Sequence, residues 1–426
     1  MKLSEYKHVH CIGIGGIGLS ALARYCHLHG AAVSGSEHSP SDLTSDLQKE
    51  GITVYEGHNA KNVPDDVDLV IYTNAIPEDN PERLLAKSRG IIAMSYPEAL
   101  GLLTQEKTTI AICGTHGKTT TTAMTYYAMK ECGINPTLIV GSLLSDQGTN
   151  FVEGDSEYLI VEACEYKRSF LNLHPTHVMV TNIDEDHLDY YKDIHDIEDA
   201  FQSFADMVPH TGTLTTHGDT SLSTHARTIS TKDIHVESIE LSVIGDHNKN
   251  NAALPLALLT TLGFDETKVR EGLKKFPGTW RRSEYKGTTL HGVPLYDDYG
   301  HHPAEIEATY DALRKKYPQN EFHITMFFQP HLYSRTKALL PQFVEVLKNV
   351  DEVYVLPIFR ARLEDTSVIN ETTVIEAINR KGGNAKGLSS LSLLPATIES
   401  ITDPKAVLVN MGAGDAYKEL KNITLL

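Results

Sequence analysis

Short runs of apolar and β-branched residues alternate with helical stretches along the whole chain. The first such unit reads as a strand over residues 8–12, a glycine-rich turn, a helix over residues 19–30 and a second strand over residues 31–37. Strands that alternate with helices in this way are typical of layers built around parallel sheets. The pattern therefore predicts an α/β fold.

Breaks in the hydrophobic pattern divide the chain into three predicted domains, at residues 1–105, 106–282 and 283–426. The segment FPGTWRR at 276–282 follows a predicted helix over residues 266–275 and reads as a linker, because proline and glycine interrupt a helix. A further helix is predicted over residues 250–262, and residues 212–242 are left unassigned. Strands are predicted at 68–73, 91–94, 108–113, 158–163, 177–183, 294–298, 323–328, 352–356 and 406–410.

The stretch TTIAICGTHGKTTTT at 108–122 predicts a strand, a glycine loop and the start of a helix. Two glycines allow backbone N–H groups to turn toward a phosphate, the lysine can reach the β- and γ-phosphates, and the next threonine can ligate Mg²⁺. The loop is two residues shorter than a full Walker A pattern, since Ile112 stands where its first glycine would be. A plain strand–helix turn is the alternative to a nucleoside triphosphate site. The residues assigned to this site are Gly114, Thr115, Gly117, Lys118, Thr119 and Thr120.

A G-x-G-x-x-G pattern follows the first predicted strand directly. In that place it is typical of a loop that seats a pyrophosphate on a helix N-terminus, and an acidic residue at the end of the next strand can bond a ribose. Glycine-rich turns also occur without a ligand. Two phosphate loops in successive domains nevertheless indicate a nucleotide-linked substrate together with ATP. The residues assigned to the first loop are Gly13, Gly15, Gly16, Gly18, Ser36 and Glu37.

Acidic residues follow two predicted strands of the second domain. Glu162 ends one strand, where a carboxylate beside a phosphate loop is placed to ligate Mg²⁺, whereas Glu165 is a competitor expected in the following loop. A solvated acid at the strand end is the alternative. The other strand is followed by a second candidate cation site, formed by Asp184, Asp186, His187 and Asp189. Mg²⁺ prefers oxygen ligands, so a histidine at a helix start is the alternative for His187.

Polar clusters also occur around the linker and in the third domain. The amides of Asn248 and Asn251 are suited to a nucleotide, although Asp and Asn also serve as helix N-caps. Arg282 can move onto a phosphate when domains close, or remain a surface arginine. DDYGHHP, FQPHLYSRT and GAGD each follow a predicted strand, and open α/β sheets bind ligands at that edge.

Composition narrows the function classes. The net charge of −18 argues against a nucleic-acid partner, because phosphate binding needs a basic surface. Cys11, Cys113 and Cys164 lie in apolar runs and are predicted to be reduced core residues. Neither a signal peptide nor an apolar run of transmembrane length is evident, so we expect a cytoplasmic protein without a membrane partner.

Eight of these segments follow one another in a fixed order: GIGGIG, GTHGKTTTT, EACEY, TNIDEDHLDY, HNKNNA, GTWRR, DDYGHHP and FQPH. Taken in this order, they resemble the motifs of the Mur ligases of peptidoglycan synthesis, and the resemblance covers essentially the whole chain. The resemblance is greatest to the members that join L-alanine to UDP-N-acetylmuramate. It implies a Rossmann-like N-terminal domain for the UDP-sugar, a central P-loop ATPase domain with a mostly parallel sheet, and a Rossmann-like C-terminal domain for the amino acid. It also implies ATP and two Mg²⁺ ions. We expect a monomer or a homodimer, a choice that the sequence leaves open.

The resemblance also implies a role for each matching residue. The implied catalytic residues are Lys118, Glu162, His187 and Arg282. The implied metal ligands are Thr119 and Glu162 for one ion and His187 for a second. The implied nucleotide contacts are Asn248, Asn251, Arg282 rather than Arg281, and Asp298 rather than Asp297. The implied alanine pocket is Tyr299, His301, His331 and Arg335. Leu332 departs from the arginine that some members carry there, so the pattern does not predict a second cation for the alanine carboxylate.

In the implied reaction, the lactyl carboxylate attacks the γ-phosphate of ATP, and the amine of L-alanine then attacks the acyl phosphate. A related ligase that recycles an intact tripeptide is one alternative, although such ligases tend to show an Arg-Ser-Asn-Thr stretch where this chain has YSRT. A nicotinamide-dependent oxidoreductase would leave the second phosphate loop unused. A non-catalytic nucleotide sensor would bind ATP without releasing phosphate.

Overall fold

The computed structural model describes residues 2–187, 190–218, 220–361 and 364–426. The chain forms two compact units. The first comprises Met1–Leu241 and Lys249–Pro277, and the second comprises Ser242–Asn248 and Gly278–Leu426. Among the described residues, no helix combines the length and the apolar character needed to cross a bilayer.

The first unit opens with a parallel sheet whose strands run in the order β3-β2-β1-β4-β5. The strand order reverses beside β1, which is where doubly wound sheets bind their ligands. The strands are β1 (His8–Ile12), β2 (Ala32–Glu37), β3 (Thr53–Glu56), β4 (Leu69–Tyr72) and β5 (Ile92–Ser95). The helices are α1 (Ile17–Leu28), α2 (Asp42–Lys49), α3 (Pro81–Arg89) and α4 (Tyr96–Thr104).

The second sheet of this unit runs in the order β12-β11-β10-β6-β9-β7-β8. Its strand pairs are parallel except for β7 with β8. The strands are β6 (Thr108–Cys113), β7 (Thr137–Ile139), β8 (Phe151–Val152), β9 (Tyr158–Glu162), β10 (His177–Val180), β11 (Thr213–Thr216) and β12 (Arg227–Ser230). The helices of this region are α5 (Lys118–Glu131), α6 (Ile194–Ala205), α7 (Asp246–Thr261) and α8 (Glu266–Lys275).

The second unit is built on a sheet in the order β13-β14-β18-β15-β16-β17, in which β13 pairs antiparallel with β14 and the other pairs are parallel. The strands are β13 (Glu284–Thr288), β14 (Pro294–Asp298), β15 (His323–Phe328), β16 (Glu352–Val355), β17 (Ala385–Gly387) and β18 (Ala406–Met411). The helices are α9 (Pro303–Lys316), α10 (Tyr333–Ala338), α11 (Leu340–Leu347), α12 (Glu371–Arg380) and α13 (Leu394–Glu399).

The predicted α/β class with mostly parallel sheets is confirmed. The division at residues 105 and 282 stays a prediction, because one apolar cluster runs through the first two sheets, from Val9 and Leu100 to Val161 and Phe204. One core prediction is wrong. Cys11 and Cys113 are buried, but Cys164 is exposed, since β9 ends at Glu162 and the chain has already turned into a loop.

A buried carboxylate ties the first sheet together. Glu82, in the first turn of α3, is fully buried. Its Oε2 accepts a 2.6 Å hydrogen bond from the Ser36 hydroxyl and lies 3.3 Å from His10 Nε2. Its Oε1 accepts hydrogen bonds from the Asn59 amide and the Asn62 side chain, both at 2.9 Å. A single side chain therefore connects β1, β2 and the loop that follows β3.

Because of this network, we expect part of the free energy of unfolding to depend on pH. Burial alone would raise the pKa of Glu82, but hydrogen bonds from His10, Ser36 and the Asn59 amide lower it below its usual value of 4.5. The stabilisation is therefore complete above about pH 4.5 and is lost as the pH falls through the lower folded-state pKa. We expect Glu82→Gln to unfold at a lower urea concentration than the wild type at pH 7. The difference between the two unfolding midpoints should become smaller as the pH is lowered. A difference that does not change with pH would contradict this account.

Candidate active site

The loop between β6 and α5 requires glycine at two positions. Gly114 has φ 139° and Gly117 has φ 82°, both in the region that favours glycine. A Cβ at Gly114 would lie 1.9 Å from Thr181 Oγ1, and one at Gly117 would lie 2.5 Å from Asn251 Oδ1. The backbone of the loop is therefore packed directly against the end of β10 and against α7. This close packing places the predicted nucleotide residue Asn251 beside the phosphate loop.

The end of β10 holds this loop in shape. The Thr115 amide donates to the Asn182 carbonyl at 3.0 Å, and the His116 amide donates to Asn182 Oδ1 at 2.9 Å. Asn182 Nδ2 donates back to the His116 carbonyl at 3.0 Å, and the Asp184 amide donates to Thr115 Oγ1 at 2.9 Å. Four hydrogen bonds with the segment that follows β10 therefore hold the loop in this conformation.

Lys118 begins α5 and is largely buried, with its side chain 14% exposed. Its Nζ donates to the Gly114 carbonyl at 2.6 Å, to the Thr115 carbonyl at 3.0 Å and to Glu165 Oε1 at 3.0 Å. Burial alone would lower the pKa of Lys118, but Glu165 and nearby acidic groups raise it above its usual value. Burial alone would raise the pKa of Glu165, but Lys118 and His187 lower it. The two groups therefore form a charged pair.

Thr119 and Glu162 meet at the same edge of the sheet. The Thr119 hydroxyl donates to Glu162 Oε2 at 2.8 Å, and the Gly141 amide donates to the same oxygen at 2.9 Å. A hydroxyl and a carboxylate are the oxygen donors that Mg²⁺ prefers when phosphates and water complete its shell. The donor set at Thr119 and Glu162 therefore fits the predicted ion.

His187 lies beside the same carboxylate oxygen of Glu165 that Lys118 contacts. Its Nε2 is 3.6 Å from Glu165 Oε1, and its ring centroid is 4.7 Å from that of Tyr166. His187 has φ 54°, which is uncommon outside glycine and marks a constrained turn. The single carboxylate of Glu165 thus contacts both Lys118 and His187.

The acidic segment before His187 has a local structural role. Asp184 Oδ1 accepts from the Glu185 amide at 2.8 Å, and Asp186 Oδ1 accepts from the His187 amide at 2.6 Å. Asp189 lies outside the described residues. In the part of the chain that the structure describes, no three His, Cys, Asp or Glu side chains form a group arranged to hold a metal. Among the predicted members that the structure describes, Asp184, Asp186 and His187 do not form such a group, and the prediction that includes Asp189 stays untested.

The loop after β1 is hydrogen-bonded to the end of β2. The Ser36 carbonyl accepts from the Gly13 amide at 2.8 Å, and Glu37 Oε2 accepts from the Gly15 amide at 2.8 Å. Gly16 is the N-cap of α1. A Cβ at Gly18 would lie 2.5 Å from the ring of Tyr96, so α1 can approach α4 only with glycine there. Ser36 is fully buried with its hydroxyl bonded to Glu82, which favours a role in shaping the loop.

The four predicted alanine-pocket residues are brought together at the carboxyl edge of the third sheet. The ring centroid of His301 is 5.5 Å from that of Tyr299 and 5.3 Å from that of His331. Arg335 Nη1 lies 3.5 Å from His331 Nδ1. Between them, Leu332 has φ 68°, which is strained for a branched side chain. Strain of this kind is often found where a binding site fixes the backbone.

Residues 8–108 match the model of the Mur ligase family, catalytic domain. Residues 112–234 match the Mur ligase middle domain, and residues 281–414 match the Mur ligase glutamate ligase domain. UDP-N-acetylmuramate–L-alanine ligase of Clostridium acetobutylicum is 39% identical over 98% of this chain and 97% of its own length. The chain belongs to the Mur ligase family. The resemblance first seen in the sequence motifs is thereby confirmed.

Solved structures agree with this assignment. UDP-N-acetylmuramate-alanine ligase from Thermotoga maritima superposes on this Mur ligase with a TM-score of 0.83, 26% identity and 98% coverage of both chains. A murein peptide ligase from Psychrobacter arcticus gives a TM-score of 0.71 at 22% identity, covering 99% of this chain and 100% of its own, which shows the shared fold alone.

The two linker arginines of this Mur ligase have opposite environments. Arg281 is 1% exposed, and its guanidinium donates to Asp297 Oδ2 at 3.0 Å and to the carbonyls of Gly412 and Gly414. The side chain of Arg282 is 31% exposed, and its Nη1 lies 3.6 Å from Glu305 Oε1. Positive φ angles at Arg281 and Ser283, on either side of Arg282, place one arginine inside and the next at the surface.

Asp298 holds the end of the linker in place. Its Oδ2 accepts from the Ser283 amide at 2.6 Å and from the Thr309 hydroxyl at 3.1 Å, and its Oδ1 accepts from the Gly300 amide at 2.6 Å. Asn248 belongs to the second unit, where its side chain donates to the Ile244 carbonyl at 2.6 Å. Asp298 and Asn248 are therefore both bonded within the second unit.

Sequence reasoning missed two residues that shape this site. Glu165 was considered only as a rival metal ligand, yet it carries the ion pair with Lys118. The sequence does not single out Asn182 within TNIDEDHLDY, although its side chain makes two bonds to the backbone of the loop between β6 and α5. The signal for Asn182 was its position immediately beyond a buried strand next to β6, where a polar side chain can reach the loop.

Proposed function

We propose that this Mur ligase couples the cleavage of ATP to the joining of L-alanine to the lactyl carboxylate of UDP-N-acetylmuramate. The observation that carries the proposal is similarity over nearly the whole chain to proteins named for that ligation. The products are UDP-N-acetylmuramoyl-L-alanine, ADP and phosphate, so the reaction supplies a precursor of peptidoglycan. We propose that the protein acts in the cytoplasm, because its proposed substrates are ATP and a nucleotide sugar.

A carboxylate must be activated before an amine can attack it. In the first step a carboxylate oxygen bonds to the γ-phosphorus of ATP, and ADP leaves, which gives an acyl phosphate. Negative charge gathers on the transferring oxygens, and the Lys118 ammonium is the cation proposed to meet it. The free N–H groups at the start of α5 add donors for the same phosphates.

Mg²⁺, when bound, supplies a Lewis acid that neutralises phosphate charge. Thr119 and Glu162 are the residues proposed to hold one ion, and His187 is proposed for a second. The Gly141 amide supports this role, since its bond to Glu162 Oε2 fixes the orientation of the carboxylate. Fixing ligands through such outer contacts is usual in metal sites.

The sugar nucleotide is proposed to bind at the loop after β1. Gly15 and Gly16 lie between β1 and α1, so the start of α1 can receive the pyrophosphate. Glu37 holds the Gly15 amide, which supports a role in fixing the loop as well as in reaching a ribose.

In the second step the amine of L-alanine attacks the acyl carbon, and phosphate leaves from the tetrahedral intermediate. The ammonium group of alanine must first lose a proton, and His301 and His331 are the proposed acceptors. Arg335 is the proposed partner of the alanine carboxylate, because an arginine can bind a carboxylate through two parallel hydrogen bonds. The adjacent placement of Arg335 and His331 supports this assignment.

We expect His331→Ala to lower kcat/KM for L-alanine by about 10²-fold, because a positioned proton acceptor contributes about 10²–10⁴-fold to the rate. The KM for ATP should stay within about twofold of the wild type. Initial rates at varied alanine and ATP concentrations measure both. His323→Ala is a matched control, since His323 begins the strand β15 that His331 follows. Equal effects of the two variants would refute a specific role for His331.

The proposal is tested by phosphate release from ATP and Mg²⁺ in the presence of UDP-N-acetylmuramate, with and without L-alanine. Release should require both acceptors, and mass spectrometry should find a UDP-sugar heavier by one alanyl residue. Release that requires an intact tripeptide instead of alanine would assign the chain to the recycling ligases. Phosphate release at the same rate with and without both acceptors would refute the ligase assignment.

A further inference from the structure

Glu165 is a buried carboxylate for which the proposed reaction has no use so far. It is 3% exposed, and its two oxygens lie 3.0 Å and 2.9 Å from Lys118 Nζ. The Glu165 carbonyl accepts from the Tyr191 hydroxyl and, at 2.8 Å, from the Arg168 amide. Its backbone is therefore fixed independently of Lys118.

The lysine that it contacts needs such a partner. An ammonium group on a flexible four-carbon stem has three N–H donors and no preferred direction of its own. Lys118 directs these donors to the Gly114 carbonyl, the Thr115 carbonyl and Glu165. The two carbonyls belong to the phosphate loop, so Glu165 is the contact that fixes the amine from outside the loop.

We propose that Glu165 is a positioning residue that holds Lys118 for contact with the transferring phosphate and links it to His187. The inference rests on the proposed ATP-dependent ligation. The ion pair fixes the side-chain rotamer of Lys118, and His187 lies 3.6 Å away on the same carboxylate oxygen. An incoming phosphate takes over a donor from a loop carbonyl, while the Glu165 contact remains.

A rival role makes a different prediction from the same contacts. If Glu165 only occupies Lys118 until a nucleotide arrives, the phosphate must displace it. Removing its charge would then tighten nucleotide binding and leave kcat unchanged. A positioning role instead requires kcat to fall when the charge is removed.

The experiment compares Glu165→Gln and Glu165→Asp in the full-length chain. Each is assayed for kcat and KM with all three substrates, for ADP binding by calorimetry without Mg²⁺, and for melting temperature. We expect Glu165→Gln to lower kcat by about 10–100-fold, as is usual when the partner of a site residue is lost, with the KM for UDP-N-acetylmuramate unchanged. Glu165→Asp, which keeps the charge on a shorter stem, should recover part of the loss.

A matched control removes another charge from the same neighbourhood. Asp196 Oδ1 pairs with Arg168 Nη2 at 2.6 Å, and Arg168 lies three residues beyond Glu165. Asp196→Asn should keep kcat within about twofold of the wild type. An equal loss in Asp196→Asn would mean that the segment has merely loosened, and the inference would be overturned.

The remaining outcomes are also decisive. Wild-type kcat in Glu165→Gln, with or without tighter ADP binding, overturns the inference while leaving the ligase assignment intact. A wild-type chain without acceptor-dependent phosphate release overturns the proposed function itself. If Glu165→Gln does not fold, Glu165→Asp decides, because a positioning carboxylate moved back by one methylene must still lower kcat relative to the wild type.

Discussion

Replacing Lys118 with alanine is expected to remove ATP turnover and to leave UDP-N-acetylmuramate binding nearly intact. Lys118 supplies the ammonium proposed to meet the charge on the transferring phosphate, and loss of such a group lowers kcat by about 10²–10³-fold. The proposed sugar-nucleotide loop lies on the other sheet of the first unit, between β1 and α1. Phosphate release measures turnover, and calorimetric titration with the UDP-sugar measures binding. Equal loss of both would contradict this division.

Loss of Lys118 also leaves the Glu165 carboxylate buried without its cation, which costs about 3–5 kcal/mol for a buried pair. The double variant Lys118→Met with Glu165→Gln removes both charges and should regain most of the melting temperature without regaining activity. Lys130→Ala, in the last turn of the same helix and exposed, is the matched control and should behave as the wild type. Activity in the double variant would show that the role of Lys118 is structural.

Substitutions of the two neighbouring linker arginines are expected to affect different properties, Arg281 mainly stability and Arg282 mainly activity. Arg281→Met should destabilise the second unit by about 3–5 kcal/mol, because Asp297 would stay buried without its partner. Burial already raises the pKa of Asp297, so its carboxylate depends on the Arg281 guanidinium. Arg282→Met should leave stability within about 1 kcal/mol, since Arg282 is partly exposed and its pairing with Glu305 is loose.

The effects on activity should be the reverse of the effects on stability, so that Arg282→Met loses more activity per folded molecule than Arg281→Met. Arg282 is the arginine proposed to contact the nucleotide, so Arg282→Met should lower kcat/KM for ATP by about 10²-fold. Arg281→Met, assayed below its melting temperature, should retain most of its kcat/KM. Thermal melting and initial rates on the same samples separate the two effects. A stable Arg281→Met and an unstable Arg282→Met would reverse the assignment.

Most of the fold could be predicted because its central strands are buried on both faces. The strands Thr108–Cys113, Pro294–Asp298 and His323–Phe328 have the predicted bounds, since continuous apolar runs identify such strands. The positions of the two glycine loops, after β1 and after β6, were predictable for a related reason. Each follows a buried parallel strand, and the carboxyl ends of parallel strands meet at one edge of the sheet.

Short strands at the sheet margins escaped prediction. Thr53–Glu56 and Ala385–Gly387 each lie at an edge, where one side of the strand has no partner and the sequence carries little apolar pattern. Thr213–Thr216, inside the unassigned stretch 212–242, is fully buried with a mostly threonine sequence. Threonine forms strands readily, but its hydroxyl obscures the apolar signal.

Partnerships between side chains were the hardest part of the site to predict. The sequence places Glu162 and Glu165 three residues apart with equal chemistry, and only the end of β9 after Glu162 decides which of them meets Thr119 and which meets Lys118. The choice of Arg282 over Arg281 rested on resemblance. The burial of Arg281 on Asp297, which supports that choice, depends on the pairing of β14 with β18, far along the chain.

The acyl-phosphate intermediate is tested most directly by following a carboxylate oxygen of UDP-N-acetylmuramate into the released phosphate. UDP-N-acetylmuramate labelled with ¹⁸O in its lactyl carboxylate is incubated with the enzyme, ATP, Mg²⁺ and L-alanine, and the released phosphate is analysed by mass spectrometry. An acyl phosphate predicts one ¹⁸O atom in each phosphate released, because the carboxylate oxygen that bonds to phosphorus departs with it. Unlabelled phosphate, released alongside alanylated product, would contradict the acyl-phosphate route.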